Sequence, residues 1–233
     1  MALTKKKIVK FEKAEKKAKD SSDYERLAES IRENLGDKND DLCSALGISS
    51  KFVVSYIGAH GISQGVATIM EAAETFKYRD DIVFMLVGDG AMKKEMVIMK
   101  NDRELKNVVM LPAQSKERIP DLYRASDVCI VPLRDIPLFD SFVPSKMFEI
   151  MSCGIPIIGL VNGEAREILE LSGSARISSP ESVHELVDSI VWMMENPQKR
   201  KMMGISGRTF VCEHYDRTML AKNYVCHLKI ILK

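Results

Sequence analysis

From Lys51 onward, short apolar runs and helical stretches take turns along the chain, and this alternation limits the fold more than any other feature. Phe52–Ile57, Ile82–Val87, Val108–Leu111, Val128–Val131, Ile155–Leu160 and Ala175–Ile177 read as six strands. Between and after them, Gln64–Phe76, Met92–Asp102, Pro120–Ala125, Pro144–Ser152, Glu164–Leu171, Pro180–Glu195, Gln198–His214 and Arg217–Ile231 read as helices. Pro120 and Pro144 suit the first turn of a helix, where a missing N–H costs nothing. Continuous apolar strands joined through helices specify a parallel sheet covered on both faces. Right-handed crossovers then give an α/β, doubly wound, Rossmann-like sheet of about six strands. Ligands in such sheets bind beyond the carboxyl ends of the strands. Gly58, Gly61, Gly65, Gly88 and Gly90 cluster at those ends.

The sequence ahead of this alternation has a different character. Eight lysines lie within Lys5–Lys19, interleaved with Glu12 and Glu15. They read as a solvated charged helix or tail, with a membrane-surface or partner contact as the second reading. Tyr24, Leu27, Ala28, Ile31 and Leu35 share one helical face that needs a surface to pack on. Leu42, Ala45 and Leu46 begin a further short helix, with Gly47 as its C-cap. The expected division is therefore residues 1–48 as a helical extension or linker and residues 49–233 as one Rossmann-like domain.

Composition removes several functional classes. A formal net charge of +1 gives no global attraction to nucleic acid. The longest apolar runs, Val128–Leu133 and Ile155–Val161, fall far short of the roughly 20 residues that span a bilayer. No apolar run follows the basic N-terminus, so no signal peptide is expected. Cys43, Cys129, Cys153, Cys212 and Cys226 include no CxxC pair and read as buried free thiols of a cytosolic protein. His60, His184, His214 and His227 have no metal-ligand spacing with them, so no metal site is expected.

Three loops could carry chemistry. The first, Gly58-Ala59-His60-Gly61-Ile62-Ser63-Gln64-Gly65, joins a strand to a helix. Its glycines let backbone approach a ligand, and the following helix start suits a phosphate, although GxGxxG is absent. The same spacing also fits a plain turn. The second, Gly88-Asp89-Gly90, is either a ligand loop or a turn in which Asp89 caps the next helix. The third runs from Pro132 to Glu149, and long loops in compact domains are usually functional. It ends where Lys146 opposes the dipole of the helix it opens, a cost that a nearby anion would offset. Glu149 follows one turn later, so the two could hold a diphosphate and a sugar diol, or simply pair on the surface.

At this point the residues resemble a known family. Val143–Pro156 (VPSKMFEIMSCGIP) is similar to the signature of the group 1 retaining glycosyltransferases, which have two Rossmann-like domains. FVVSYIGAHGISQG (52–65) resembles the opening of their C-terminal, donor-binding domain. Ile119–Leu133, Asn162-Gly163-Glu164 and Glu213–Leu228 fit in the same order, and PSKMFE with a first-loop histidine resembles the fucosamine-transferase-like branch. The resemblance implies a GT-B glycosyltransferase of polysaccharide biosynthesis, using a nucleoside diphosphate sugar donor and no permanently bound cofactor or metal. It makes Glu149 the second of the family's paired glutamates, on the ribose hydroxyls. The first glutamate falls at Ser141, with Asp140 one position before it. Backbone around Val143, Pro144 and Ser145 would face the diphosphate. The family's first-loop arginine and lysine fall near His60 and Gln64, which leaves Lys146 as the main cation. Gly58, Gly61, Gly88, Asp89, Gly90, Pro112, Ala113 and Ile119 would line the base and donor.

The resemblance also implies an N-terminal acceptor domain, or a separate acceptor subunit, that residues 1–40 are too few to form. The chain alone is then expected to bind nucleotide weakly and transfer little. The location implied is the cytoplasm or its membrane face. The N-terminal helices either cover exposed surface or drive self-association. A non-catalytic nucleotide-sugar-binding partner is the alternative of a different class, and a sugar-nucleotide epimerase fits the motifs less well.

Overall fold

Val, Ile and Phe crowd the runs at 52–57 and 82–87, and such side chains fit a pleated surface buried on both faces. In the structure, a computed structural model that describes residues 40–215, these runs are β1 (Phe52–Ile57) and β2 (Ile82–Val87). With β3 (Val108–Leu111), β4 (Val128–Pro132), β5 (Ile157–Leu160) and β6 (Ala175–Ser178) they form one sheet in the order β3-β2-β1-β4-β5-β6. Every pairing is parallel. The sheet is thus the doubly wound, Rossmann-like α/β fold, and its strand order reverses between β1 and β4. The chain divides into two units, Met1–Gly36 and Asp37–Lys233, and all described residues belong to the second.

The helices are α1 (Asp40–Ala45), α2 (Ala67–Thr75), α3 (Lys93–Asp102), α4 (Ile119–Arg124), α5 (Lys146–Ser152), α6 (Gly163–Ser172), α7 (Val183–Glu195) and α8 (Pro197–His214). One apolar layer joins alternate strand residues Val54, Phe84, Leu86, Val128, Ile130 and Ile158 to Ile69, Met70 and Ala73 of α2 and Leu186, Ile190 and Met193 of α7. The intervening residues Val53, Val83, Met85, Cys129, Val131 and Ile157 are equally buried, as a sheet covered on both faces requires. Helix α5 packs on β4, β5 and α8. Helix α8 comes close because Gly204 leaves no side chain above the Gly154 carbonyl. Local signals set the helix ends: the Ser182 hydroxyl accepts from the Glu185 N–H at the start of α7, and Pro197 opens α8.

Strand limits follow the apolar runs closely, but helix starts do not. The stretch read as one helix from Gln64 begins as a 3-10 turn at Ile62–Gln64, pauses at left-handed Gly65, and becomes α-helical only at Ala67. Helix α5 starts at Lys146, not Pro144, whose carbonyl instead accepts from the Met147 N–H. β5 starts at Ile157, since the Ile155 N–H is spent on the Ile150 carbonyl. The cysteines also divide. Cys43 and Cys129 are buried, Cys153 is half-buried, and Cys212 is exposed on α8. The lysine-rich stretch, the amphipathic 24–35 segment, the final helix at 217–231, Cys226 and His227 lie outside the described residues.

Candidate functional site

Strand register brings the first two loops together. Ile57 is paired with Val87, and Val87 with Leu111, so β1, β2 and β3 end at one level. The backbone continues to pair beyond the strands. The Gly58 N–H donates to the Val87 carbonyl (2.9 Å), His60 N–H to the Asp89 carbonyl (2.8 Å), and Met92 N–H to the His60 carbonyl (2.9 Å). This explains the second glycine loop. A Cβ on Gly88 would lie 1.8 Å from the Gly58 carbonyl oxygen, and one on Gly90 would lie 2.5 Å from that of His60. These two glycines serve loop-on-loop packing as well as any ligand. Asp89 does not cap α3; its carboxylate accepts from the Gly90 N–H next to it (2.8 Å), and the side chain is exposed.

Lys146 does not remain on the helix surface. Its ammonium reaches across the switch point, donates to the Tyr56 hydroxyl (3.1 Å) and lies 4.2 Å from the centre of the Tyr56 ring. Tyr56 in turn donates to the Ala59 carbonyl, tying α5 to the first loop. A Cβ on Gly58 would stand 2.5 Å from Lys146 Nζ, so this glycine is what admits the ammonium. Burial lowers the Lys146 pKa to about 8, with Cys129 and Glu149 opposing the shift. Glu149 is exposed, and no ion pair joins it to Lys146, so the surface Lys–Glu pair is not what forms.

His60, a candidate nucleotide contact in the first loop, turns inward. Its side chain is fully buried, 5.7 Å from the Tyr56 ring, and neither ring nitrogen makes a well-formed hydrogen bond. Burial first, then the charges of Lys93 and Lys146, lower its pKa to about 4, so it is neutral at physiological pH. Gln64 also turns inward. Its amide oxygen is buried without a partner, where a Cβ on Gly61 would be 2.5 Å away.

Lys93 was not singled out from the sequence, where it is one of two adjacent lysines. Its ammonium donates to the Gly88 and Leu111 carbonyls, 2.9 Å each, and bolts the ends of β2 and β3 together. Burial lowers its pKa, with Asp89 opposing. Its link to the strand ends comes from the third strand's register, which no local pattern reveals.

The third loop flanks the same crevice. The Arg134 N–H donates to the Ser63 carbonyl (3.0 Å), joining it to the first loop. The Arg134 guanidinium and the Asp135 N–H are both held by Glu181. Asp140 and Ser141 are exposed in a 3-10 turn at Pro137–Ser141, and a Cβ on Gly163 would strike the Asp140 carbonyl. Val143 is half-buried, Pro144 buried and Ser145 exposed. Pro112 and Ala113 are exposed beyond β3, where the Pro112 carbonyl accepts from Gln114, and Ile119 begins α4. No hydrogen bond ties Pro112, Ala113, Ile119 or Glu149 side chains to the Lys146–Tyr56–His60–Lys93 group.

Two ammonium groups thus stand at the carboxyl ends of β1, β2 and β3, with only one of three donors spent on Lys146 and two on Lys93. A place with this charge and free donors can hold an anion such as phosphate. Among the described residues no group of His, Cys, Asp and Glu could hold a metal, and no helix is long and apolar enough to cross a membrane.

Known proteins share the sequence pattern and the fold. The family described as "Glycosyl transferases group 1" matches residues 38–210. The Escherichia coli (strain K12) protein named "Putative colanic acid biosynthesis glycosyl transferase WcaI" is 31% identical over 75% of this chain and 41% of its own. Among solved structures, Anabaena HepE in complex with UDP and glucose is similar at a TM-score of 0.73 and 21% identity, covering 82% of this chain and 52% of that one. The C-terminal domain of the group 1 protein LpcC from Francisella tularensis is similar at 0.64 and 18%, covering 77% of this chain and 93% of that one. The chain therefore spans about two-fifths of WcaI and half of HepE, but nearly all of the LpcC domain.

Proposed function

The chain belongs to the glycosyl transferase group 1 family, and on that premise we propose that residues 49–233 form its donor-binding domain, holding a nucleoside diphosphate sugar. The observation that carries this reading is Lys146. Its ammonium is drawn into the crevice where the strand order reverses, the place where doubly wound sheets bind ligands. The likeness to HepE, whose structure holds UDP and glucose, supports a nucleoside diphosphate as the ligand.

In this reading Lys146 meets the diphosphate and Glu149 the ribose hydroxyls. The Gly88–Gly90 turn, Pro112, Ala113 and Ile119 face the base. The sugar leaves its diphosphate and joins an acceptor hydroxyl of a glycan or lipid-linked substrate with retention. Charge that develops on the departing diphosphate is neutralised by Lys146. The crevice has a second wall, contributed by an acceptor domain of the same polypeptide or by a separate subunit. Lys93 supports the first wall by fixing the ends of β2 and β3.

Titration calorimetry with UDP, GDP and ADP tests the reading. Heat with at least one nucleotide is expected, weakened roughly tenfold or more in Lys146→Met, as loss of a hydrogen bond to a charged group implies. No heat from any of the three, or full affinity in Lys146→Met, would overturn it.

A further inference from the structure

Tyr56 is read from sequence as one more apolar residue of β1, and the donor site as proposed above does not need to touch it. Its surroundings show a different role. Its ring is fully buried, with the Lys146 ammonium 4.2 Å from the ring centre and 3.1 Å from the hydroxyl. The hydroxyl accepts from Lys146 and donates to the Ala59 carbonyl, so both of its hydrogen-bonding directions are used. One side chain on a rigid strand therefore fixes a cation arriving from α5 and a backbone carbonyl of the first loop. Glu149 favours the ammonium electrostatically but makes no ion pair with it, so Tyr56 is its hydrogen-bonding partner.

We propose that Tyr56 is a positioning residue for nucleotide binding, which holds the Lys146 ammonium over Gly58 and keeps it available to the donor's diphosphate. This rests on the donor-binding reading of Lys146. A flexible lysine stem loses rotamer freedom when it is fixed, and a partner that fixes it beforehand removes that cost from binding. The hydroxyl oxygen also favours the charged amine, because an acceptor stabilises the ammonium that burial disfavours. Burial holds the Tyr56 pKa well above its ordinary value, so the hydroxyl remains neutral throughout the range in which Lys146 titrates. The groups facing this amine are Tyr56 from β1, His60 of the first loop, Cys129 from β4 and Glu149 from its own helix.

A double-mutant cycle with a pH profile tests the proposal. UDP affinity is measured by calorimetry from pH 7 to 10 in the intact chain, Tyr56→Phe, Lys146→Met and the double variant. The range begins above the nucleotide's own second phosphate pKa of about 6. Tyr56→Phe keeps the ring against His60 and removes only the hydroxyl. It is expected to weaken UDP binding roughly tenfold, the scale of a hydrogen bond to a charged group. It should also move the alkaline loss of binding to lower pH, because the amine loses an acceptor that favours its charge. In the Lys146→Met background, Tyr56→Phe should change affinity by less than about twofold. An equal loss from Tyr56→Phe in both backgrounds, or an unmoved pH limb, would overturn the positioning role while leaving the donor reading intact. Absence of UDP binding, or an unweakened Lys146→Met, would overturn the donor reading and this inference with it. Thermal unfolding of each variant separates loss of fold from loss of binding.

Discussion

Two side chains in the crevice carry opposite pH signatures. His60 has its pKa lowered from 6.5 to about 4, chiefly by burial. Between those values the unfolded chain binds more protons than the folded one, so stability falls as pH falls. The contribution is whole above pH 6.5 and is lost on the way to pH 4. Its size is on the order of 3 kcal/mol by the usual conversion of pKa shifts. Chemical denaturation at pH 7 and pH 4.5 should show this loss, and His60→Asn should flatten it; an equally steep profile in that variant would rule His60 out as its source. Lys146 titrates in the other range, lowered from 10.5 to about 8. On the proposed donor reading its charged form meets the diphosphate, so nucleotide affinity should hold below pH 8 and decline above it, approaching tenfold per pH unit. Calorimetry at pH 7.5 and 9.5 reads this directly. A buried ammonium without an anion is a cost at neutral pH, which a bound diphosphate offsets.

At the scale of elements, the site depends on backbones that touch. The Gly88 turn has φ of +146°, and a Cβ there would meet the Gly58 carbonyl at 1.8 Å. Gly47, after α1, also has positive φ (+67°), but a Cβ there would meet nothing within 4 Å. Gly88→Ala should therefore cost more than about 3 kcal/mol in denaturant unfolding, and Gly47→Ala only about 1 kcal/mol of backbone strain. Similar losses at both positions would mean that loop contact contributes nothing. The strands themselves were legible because parallel strands buried on both faces are written as unbroken apolar runs, and Phe52–Ile57 and Ile82–Val87 matched to the residue. The starts of α2 and α5 were not. Gly65 and Pro144 mark a change of backbone, but the neighbouring Ile62–Gln64 and Ser145 decide whether a tight turn or an α-helix follows. Lys146 stood out because a lysine in a first turn opposes the dipole. Tyr56 and Lys93 did not, since Lys146 lies 90 residues from Tyr56 and Leu111 lies 18 from Lys93, and only the tertiary fold brings them together. His60 was legible as part of the loop but not as buried, because the cover comes from the second loop folding over the first.

At the scale of the whole described unit, the strand order gathers the loops at one crevice. β1 and β4 diverge there, and three loops distant in sequence meet around two lysines. A ligand that binds this folded crevice and not the unfolded chain stabilises by mass action, independent of any transfer chemistry. At a nucleotide concentration one hundred times its Kd the gain is about 2.7 kcal/mol. For a domain of 150–250 residues each kcal/mol raises Tm by roughly 2–4 °C, so saturating UDP should raise it by roughly 5–10 °C. Because both lysines and the loops around them belong to this unit, the shift should appear without an acceptor or any second subunit. It should shrink with added salt, since the attraction is between lysine charges and a diphosphate, and shrink again in Lys146→Met. Uridine, which has the base and ribose but no phosphate, separates the contributions. If the lysines carry binding as proposed, uridine at the same concentration shifts Tm by less than a third as much as UDP. Equal shifts would move the binding energy to the base-facing loops, away from the Lys146 crevice.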